Sequence, residues 1–171
     1  MTPYAFIVLV LVSAGWDRPD WREYRCRDTR ELVIQTACRE TWSADGCKIT
    51  ALDCRDRYTG GRATRVQVDH LYPAVIGWAR GTWLLEDGTA CTVPRRCPSF
   101  LEFFNDRDNL LPASPRANAS KGARMPGEWC PALPVDRRYL ARRFRAVIRE
   151  WKLPITADEL AAIRRWERGE C

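Results

Sequence analysis

The sequence predicts an α+β domain. Three observations predict it: an alternating stretch that ends in "VQVDHL", two amphipathic helical patterns in the C-terminal tail, and an even set of cysteines spread along the chain. At 171 residues the chain is most simply one domain, large enough to bury roughly two-thirds of its unfolded surface.

At the N-terminus, "YAFIVLVLV" is an apolar run too short to span a bilayer as a helix, for which about twenty residues are needed. Ser13 and Ala14 follow, and then the polar "GWDRPDW". The pattern matches the apolar segment of a signal peptide with cleavage after Ala14, although no charged residue precedes it. Residues 1–14 are therefore expected to be a signal peptide and 15–171 a single mature domain, secreted or periplasmic and without a membrane span. A buried first strand is the alternative, and would allow a cytoplasmic location.

Cysteines stand at 26, 38, 47, 54, 91, 97, 130 and 171. No two have C-x-x-C spacing, which argues against a zinc ribbon or a thioredoxin-like centre. An even, scattered set fits disulfides made in an oxidising compartment. Proximity predicts Cys91 with Cys97 and Cys47 with Cys54.

Along the chain, "TRELVIQTAC" predicts a short helix, and "CKITALDCRDRYTGG" a strand whose turn glycines lead into a second strand. "RATRVQVDHL" continues as a strand, with Val66 and Val68 facing one way and Arg65 and Gln67 the other. Pro73 opens a short helix to Arg80. "WLLEDGTACTV" reads as a hairpin about a type I′ turn at Asp87-Gly88. Ser99 and Glu102 have the spacing of a capping box for "SFLEFF". "NLLPAS" is a short strand and "PRANASKG" a short helix. In "DRRYLARRFRAVIREW", Leu140, Phe144, Val147, Ile148 and Trp151 form one apolar stripe expected to enter the core. "LPIT" ends that helix, and Thr156 with Glu159 caps a last one through Arg168.

Lys and Arg number 28 against 22 Asp and Glu, a formal charge of +6 with a pI near 9.0. This favours polyanionic partners without identifying one. Trp16, Trp21, Trp42 and Trp83 show no spacing that suggests a single-strand stacking platform.

The chain has one histidine, His70, directly after Asp69. Hydrolysis of a phosphodiester needs a base for water, neutralisation of the phosphate, and stabilisation of the leaving oxygen. An imidazole with a pKa near 6.5 suits the first task, and cleavage would then rise through about pH 6–7. A divalent ion held by hard oxygen donors suits the others. Downstream, "FFNDRDNLLPASPRANASKG" sets Asn109 39 positions past His70, and Asn118 nine further on.

With "ADGC", "YTG", "VQVDHLYP", Trp78, "FFND", "NLLPAS", "NASKG" and "GEWCP" in order over about residues 28–168, the chain resembles the HNH, or ββα-metal, endonucleases of the small secreted bacterial type. The resemblance implies a ββα-metal (His-Me finger) core with flanking helices and disulfides. It implies His70 as general base, Asp69 and Asn118 as metal ligands, and Asn109 as the asparagine that ties the motif loop and orients His70. Lys121, one turn beyond Asn118, would touch a substrate phosphate. The cofactor would be a divalent metal, Mg2+ before Mn2+ or another ion. The substrate would be DNA, with RNA as an alternative, cut by a monomer with little sequence preference. Trp129, after Glu128, is expected to pack under the motif helix. Residues 82–98 read as an insertion that flanks the substrate groove or only braces a loop. The rival readings are a non-catalytic secreted polyanion-binding module and a disulfide-stapled structural protein. Asn118-Ala-Ser120 also matches a glycosylation acceptor, which would be incompatible with metal binding there.

Overall fold

The structure, a computed structural model, describes residues 18–24 and 26–171; the expected signal peptide and Trp16 lie outside them. The architecture is α+β, with three small antiparallel sheets, six α-helices and four disulfides among the described residues. Strands β1 (Glu23–Tyr24) and β2 (Arg27–Asp28) form a minimal hairpin ahead of helix α1 (Thr29–Ala37). Asp28 caps α1: its carboxylate accepts the Arg30 and Glu31 amides, while the Glu31 side chain accepts the Asp28 amide.

A three-stranded sheet follows, in the order β3 (Cys38–Trp42), β4 (Ile49–Arg55), β5 (Arg62–Ala63). Its register corrects one expected disulfide. Cys38 lies directly opposite Cys54 with Cα atoms 4.4 Å apart, so these two pair. Cys47 sits in the β3–β4 turn beside the first hairpin, where Arg27 Nε donates to Gly46 O at 2.8 Å, and it pairs with Cys26 instead. Cys91 joins Cys97 as expected, and Cys130 joins Cys171. Four disulfides fit an extracellular or otherwise oxidising compartment.

Strand β6 (Gln67–His70) pairs only with β7 (Leu110–Ala113). Between them lie α2 (Ala74–Arg80), short 3-10 turns at Pro94–Arg96 and Arg107–Asn109, and α3 (Pro98–Phe104). Helix α4 (Pro115–Lys121) follows β7 with Ser114 as its cap, and α5 (Pro134–Glu150) and α6 (Ala157–Arg168) close the chain. The capping box of α6 is present, with Thr156 and Glu159 bonding each other's backbone amides.

Two local expectations differ. "WLLEDGTACTV" makes only an isolated bridge between Leu84 and Ala90. Its turn has positive φ at Gly88 but not at Asp87, so it is not type I′, which needs both. Ser99 is not a cap: α3 begins at Pro98, and the Ser99 hydroxyl instead binds the Leu84 backbone N–H and C=O, each at 3.0 Å.

The core sits where α3, α5 and α6 converge. Phe100, Phe103 and Phe104 of α3 are buried, as are Leu140, Phe144 and Val147 of the α5 stripe and Ile163 and Trp166 of α6. Trp83 of the 82–98 segment packs into this cluster 4.9 Å from Phe100, so the segment is anchored to the core. Among the described residues, no helix is long and apolar enough to cross a membrane.

Candidate functional site

Residues directly opposed in an antiparallel pair share a face, and successive residues alternate. His70 opposes Leu110 and Asp69 opposes Leu111. Val68, His70, Leu110 and Pro112 therefore form one face of the β6–β7 ribbon, and Gln67, Asp69, Leu111 and Ala113 the other.

Helix α4 reaches the second face. The Asn118 Nδ2 donates to Gln67 Oε1 at 2.8 Å, and Lys121 Nζ meets Asp69 Oδ2 at 2.8 Å. Asn118 and Lys121 are three apart and so lie on one side of the helix. Ser114 starts α4 by accepting the Ala117 amide, and its own N–H donates to buried Asp56, which also accepts the Tyr58 amide. One carboxylate thus sets both the helix and the tyrosine that serves Asp69. Tyr58 donates its hydroxyl to Asp69 Oδ2 at 2.7 Å. Burial first, and then the charge of Asp69, raise the Tyr58 pKa well above its ordinary value, so the phenol keeps its proton.

Lys121 departs from expectation. It is only 2% exposed, and its ammonium is bonded to Asp69, to His70 O at 2.8 Å and to Gly122 O at 3.3 Å. A desolvated ammonium with these acceptors is a strut beneath the ribbon and does not reach outward to a phosphate.

On the other face, His70 is 7% exposed and lies between Trp21 and Phe104, with ring centroids 5.4 and 4.5 Å away. Its Nε2 is 2.8 Å from Phe104 O, an acceptor only, so Nε2 carries the proton and Nδ1 the lone pair. Nδ1 has no hydrogen bond among the described residues, yet the only buried side-chain polar atom lacking a partner there is Arg55 Nε; Nδ1 therefore touches solvent. Burial pushes the His70 pKa down to about 4, below the range expected of an unperturbed imidazole, and the ring is neutral at pH 7.

Asn109 is fully buried just before β7. Its Oδ1 accepts the Tyr72 N–H at 2.7 Å, its Nδ2 donates to Tyr72 O at 3.1 Å, and its backbone carbonyl accepts the Leu71 N–H at 2.7 Å. These bonds hold the bend that follows His70.

The structure thus brings Asp69, Asn118 and Lys121 to one face, and holds His70 on the opposite face at the strand end, with Asn109 behind the bend. No hydrogen bond joins the imidazole to Asn118. Trp21, Phe104, Tyr58, Gln67 and Asp56 were not singled out by the sequence. Tyr58, Gln67 and Phe104 stand within the quoted pieces "YTG", "VQVDHLYP" and "FFND", whereas Trp21 and Asp56 lie outside all of them. Trp129 packs edge-on to Tyr58 at 4.8 Å and to Trp166 at 6.5 Å, beneath this site.

A cation at Asp69 would rest on hard oxygens. Asp69 Oδ1 and Asn118 Oδ1 have no hydrogen-bond partner among the described residues, while Asp69 Oδ2 is occupied by Tyr58 and Lys121. Among those residues there is also no group of three His, Cys, Asp or Glu side chains that could hold a metal. One carboxylate, one amide and water suit magnesium, which keeps much of its hydration shell. Beside Asn118 opens a cleft of about 470 Å³ lined by Gln67, Trp21, Arg18 and Arg30, the two arginines lying 5.8 and 5.9 Å from the Trp21 ring.

No family profile, curated protein or solved structure matches the chain.

Proposed function

We propose that this chain is a metal-dependent endonuclease with a ββα-metal core formed by β6, β7 and α4, which hydrolyses phosphodiester bonds in DNA, with RNA as an alternative substrate. One observation carries the reading: at the end of β6, two consecutive residues each offer an unused atom, Asp69 Oδ1 on the ribbon face that Asn118 also reaches, and His70 Nδ1 on the other face of the same strand end.

In this reading a phosphate lies across the strand end. His70 Nδ1 takes a proton from the attacking water, and the bond from Nε2 to Phe104 O holds the ring in the tautomer that leaves Nδ1 free. As the water oxygen bonds to phosphorus, the bond to the 3′ oxygen breaks, leaving a 5′ phosphate and a 3′ hydroxyl. When bound at Asp69 and Asn118, a divalent cation would polarise the phosphate and stabilise the leaving oxygen. Tyr58 and Lys121 hold the Asp69 carboxylate in place through Oδ2, and Asn109 fixes the bend that carries His70. Lys121 is a positioning residue here.

The arginines of the nearby cleft bind phosphates without reading bases, which fits cutting with little sequence preference. Plasmid nicking in magnesium tests the proposal. EDTA and His70→Ala are each expected to abolish it, by at least about 10²-fold for loss of the base, while low-salt binding persists. Undiminished nicking by His70→Ala refutes the assignment. A second reading, a non-catalytic polyanion-binding module, is favoured by the enclosure of His70 between Trp21 and Phe104. It requires that plasmid stay intact under all these conditions.

A further inference from the structure

A second cleft lies away from His70, along the outer edge of β7, where no further strand pairs. It holds about 620 Å³ and is lined by Arg55, Arg57, Arg107 and Arg143, with Tyr139 and Asp108 among its other walls. Four guanidinium groups in one cleft repel one another, so the fold must supply a reason for their convergence.

Part of the reason is internal. Asp136, 0% exposed, receives Arg55 and Arg57 on its two oxygens, each at 2.9 Å. The Arg57 guanidinium also lies 4.3 Å above the Tyr139 ring. Arg143 donates to the backbone carbonyls of Arg107, Asp108 and Leu110 and to the Tyr139 hydroxyl. Carbonyls satisfy its donors but leave its charge uncancelled.

Much remains unmatched. Arg107 is exposed and has no ion-pair partner among the described residues. Arg55 Nε is the one buried side-chain donor there that lacks an acceptor. Four positive groups face two carboxylates, Asp136 and Asp108, which leaves about two unit charges over in a confined cleft, where a field is focused. Arginine forks match phosphate oxygens in geometry as well as charge.

We infer that this cleft is a phosphate-binding site, separate from the strand-end site, that holds the sugar-phosphate backbone of a nucleic-acid strand through Arg57 and Arg107. It rests on the nucleic-acid partner of the proposed function but not on cutting. An isolated phosphate offers the same oxygens and is the competing source.

The test uses the full chain in EDTA, so that binding is read without cleavage. Fluorescence anisotropy of a labelled single-stranded oligodeoxynucleotide is measured against salt for the wild type, Arg107→Gln, Arg57→Gln, and a control at exposed Arg164 on α6, Arg164→Gln. Thermal unfolding with and without inorganic phosphate runs in parallel. Arg107→Gln is expected to weaken strand binding several-fold at low salt, and to lower the slope of log affinity against log salt by about 0.7. Arg57→Gln should do the same, and Arg164→Gln neither. Since Arg57 also serves Asp136, Arg107→Gln decides the matter if the Arg57 variant does not fold. Loss of phosphate-induced stabilisation with strand binding intact assigns the site to a free phosphate and overturns the strand assignment. Equal effects from Arg107→Gln and Arg164→Gln, or no effect from Arg107→Gln on either readout, overturn the site. Nicking is scored separately, so an uncut plasmid bound through Arg107 would refute only the catalytic proposal.

Discussion

His70 is neutral because it is mostly buried, and that has a cost in acid. Its pKa falls from 6.5 to about 4 on folding, chiefly through burial. Between those values the unfolded chain holds a proton that the folded chain refuses, so stability is complete above pH 6.5 and declines as pH falls towards 4. The loss reaches on the order of 3 kcal/mol. Urea unfolding of the wild type and His70→Gln at pH 7.5 and pH 4.5 should show a larger acid loss for the wild type. Parallel losses in the two proteins would mean that burial between Trp21 and Phe104 does not disfavour the charged ring. Lys121, by contrast, is buried with partners: Asp69 and two carbonyls surround its Nζ.

At the scale of elements, α2 and α3 meet closely at Gly77. Gly77 in α2 lies against Phe103 of α3 so closely that an added Cβ would stand 2.5 Å from Phe103 Cε1. Its carbonyl also accepts the Trp83 indole N–H at 3.0 Å. Alanine is the better helix former by about 1 kcal/mol. Phe103 is fully buried, however, and has nowhere to withdraw. Gly77→Ala should therefore destabilise the fold by about 1–3 kcal/mol, read from the urea midpoint. A rise in stability would show that Phe103 yields at no cost. The short ribbon of β6 and β7 cannot stand alone, and relies on α1 on one side and α4 on the other.

For the whole molecule, three small sheets make little continuous ladder, so covalent links between distant segments matter. Cys130–Cys171 spans 41 residues and ties the chain end to the segment before α5, whereas Cys91–Cys97 spans only 6. The cost of loop closure rises with length, giving about 4 kcal/mol for the long link and about 2 for the short one. Denaturant unfolding of the paired serine variants, Cys130→Ser with Cys171→Ser and Cys91→Ser with Cys97→Ser, should show that order. A larger loss from the short link would point to its role in seating Trp83 against Phe100.

The sequence by itself determined the elements whose signals are local. Period, proline and capping chemistry act over a few residues, so α1, α2, β7, α4, α5 and the Thr156 cap of α6 were legible where they occur. Adjacency also gave Cys91–Cys97. Only the tertiary structure decided what depends on register and burial. Cys38 faces Cys54 because two strands align, and Ser99 binds Leu84 because α3 starts two residues earlier than its cap spacing suggested. Lys121 turned inward because a carboxylate and a carbonyl await it there, and Trp21 came to cover His70 from 49 positions away in the chain. The four arginines beside β7 come from three separate stretches, and no periodicity along the chain connects them. Local conformational preference is written residue by residue, whereas the pairing of buried charges and rings is settled only when distant segments share one volume.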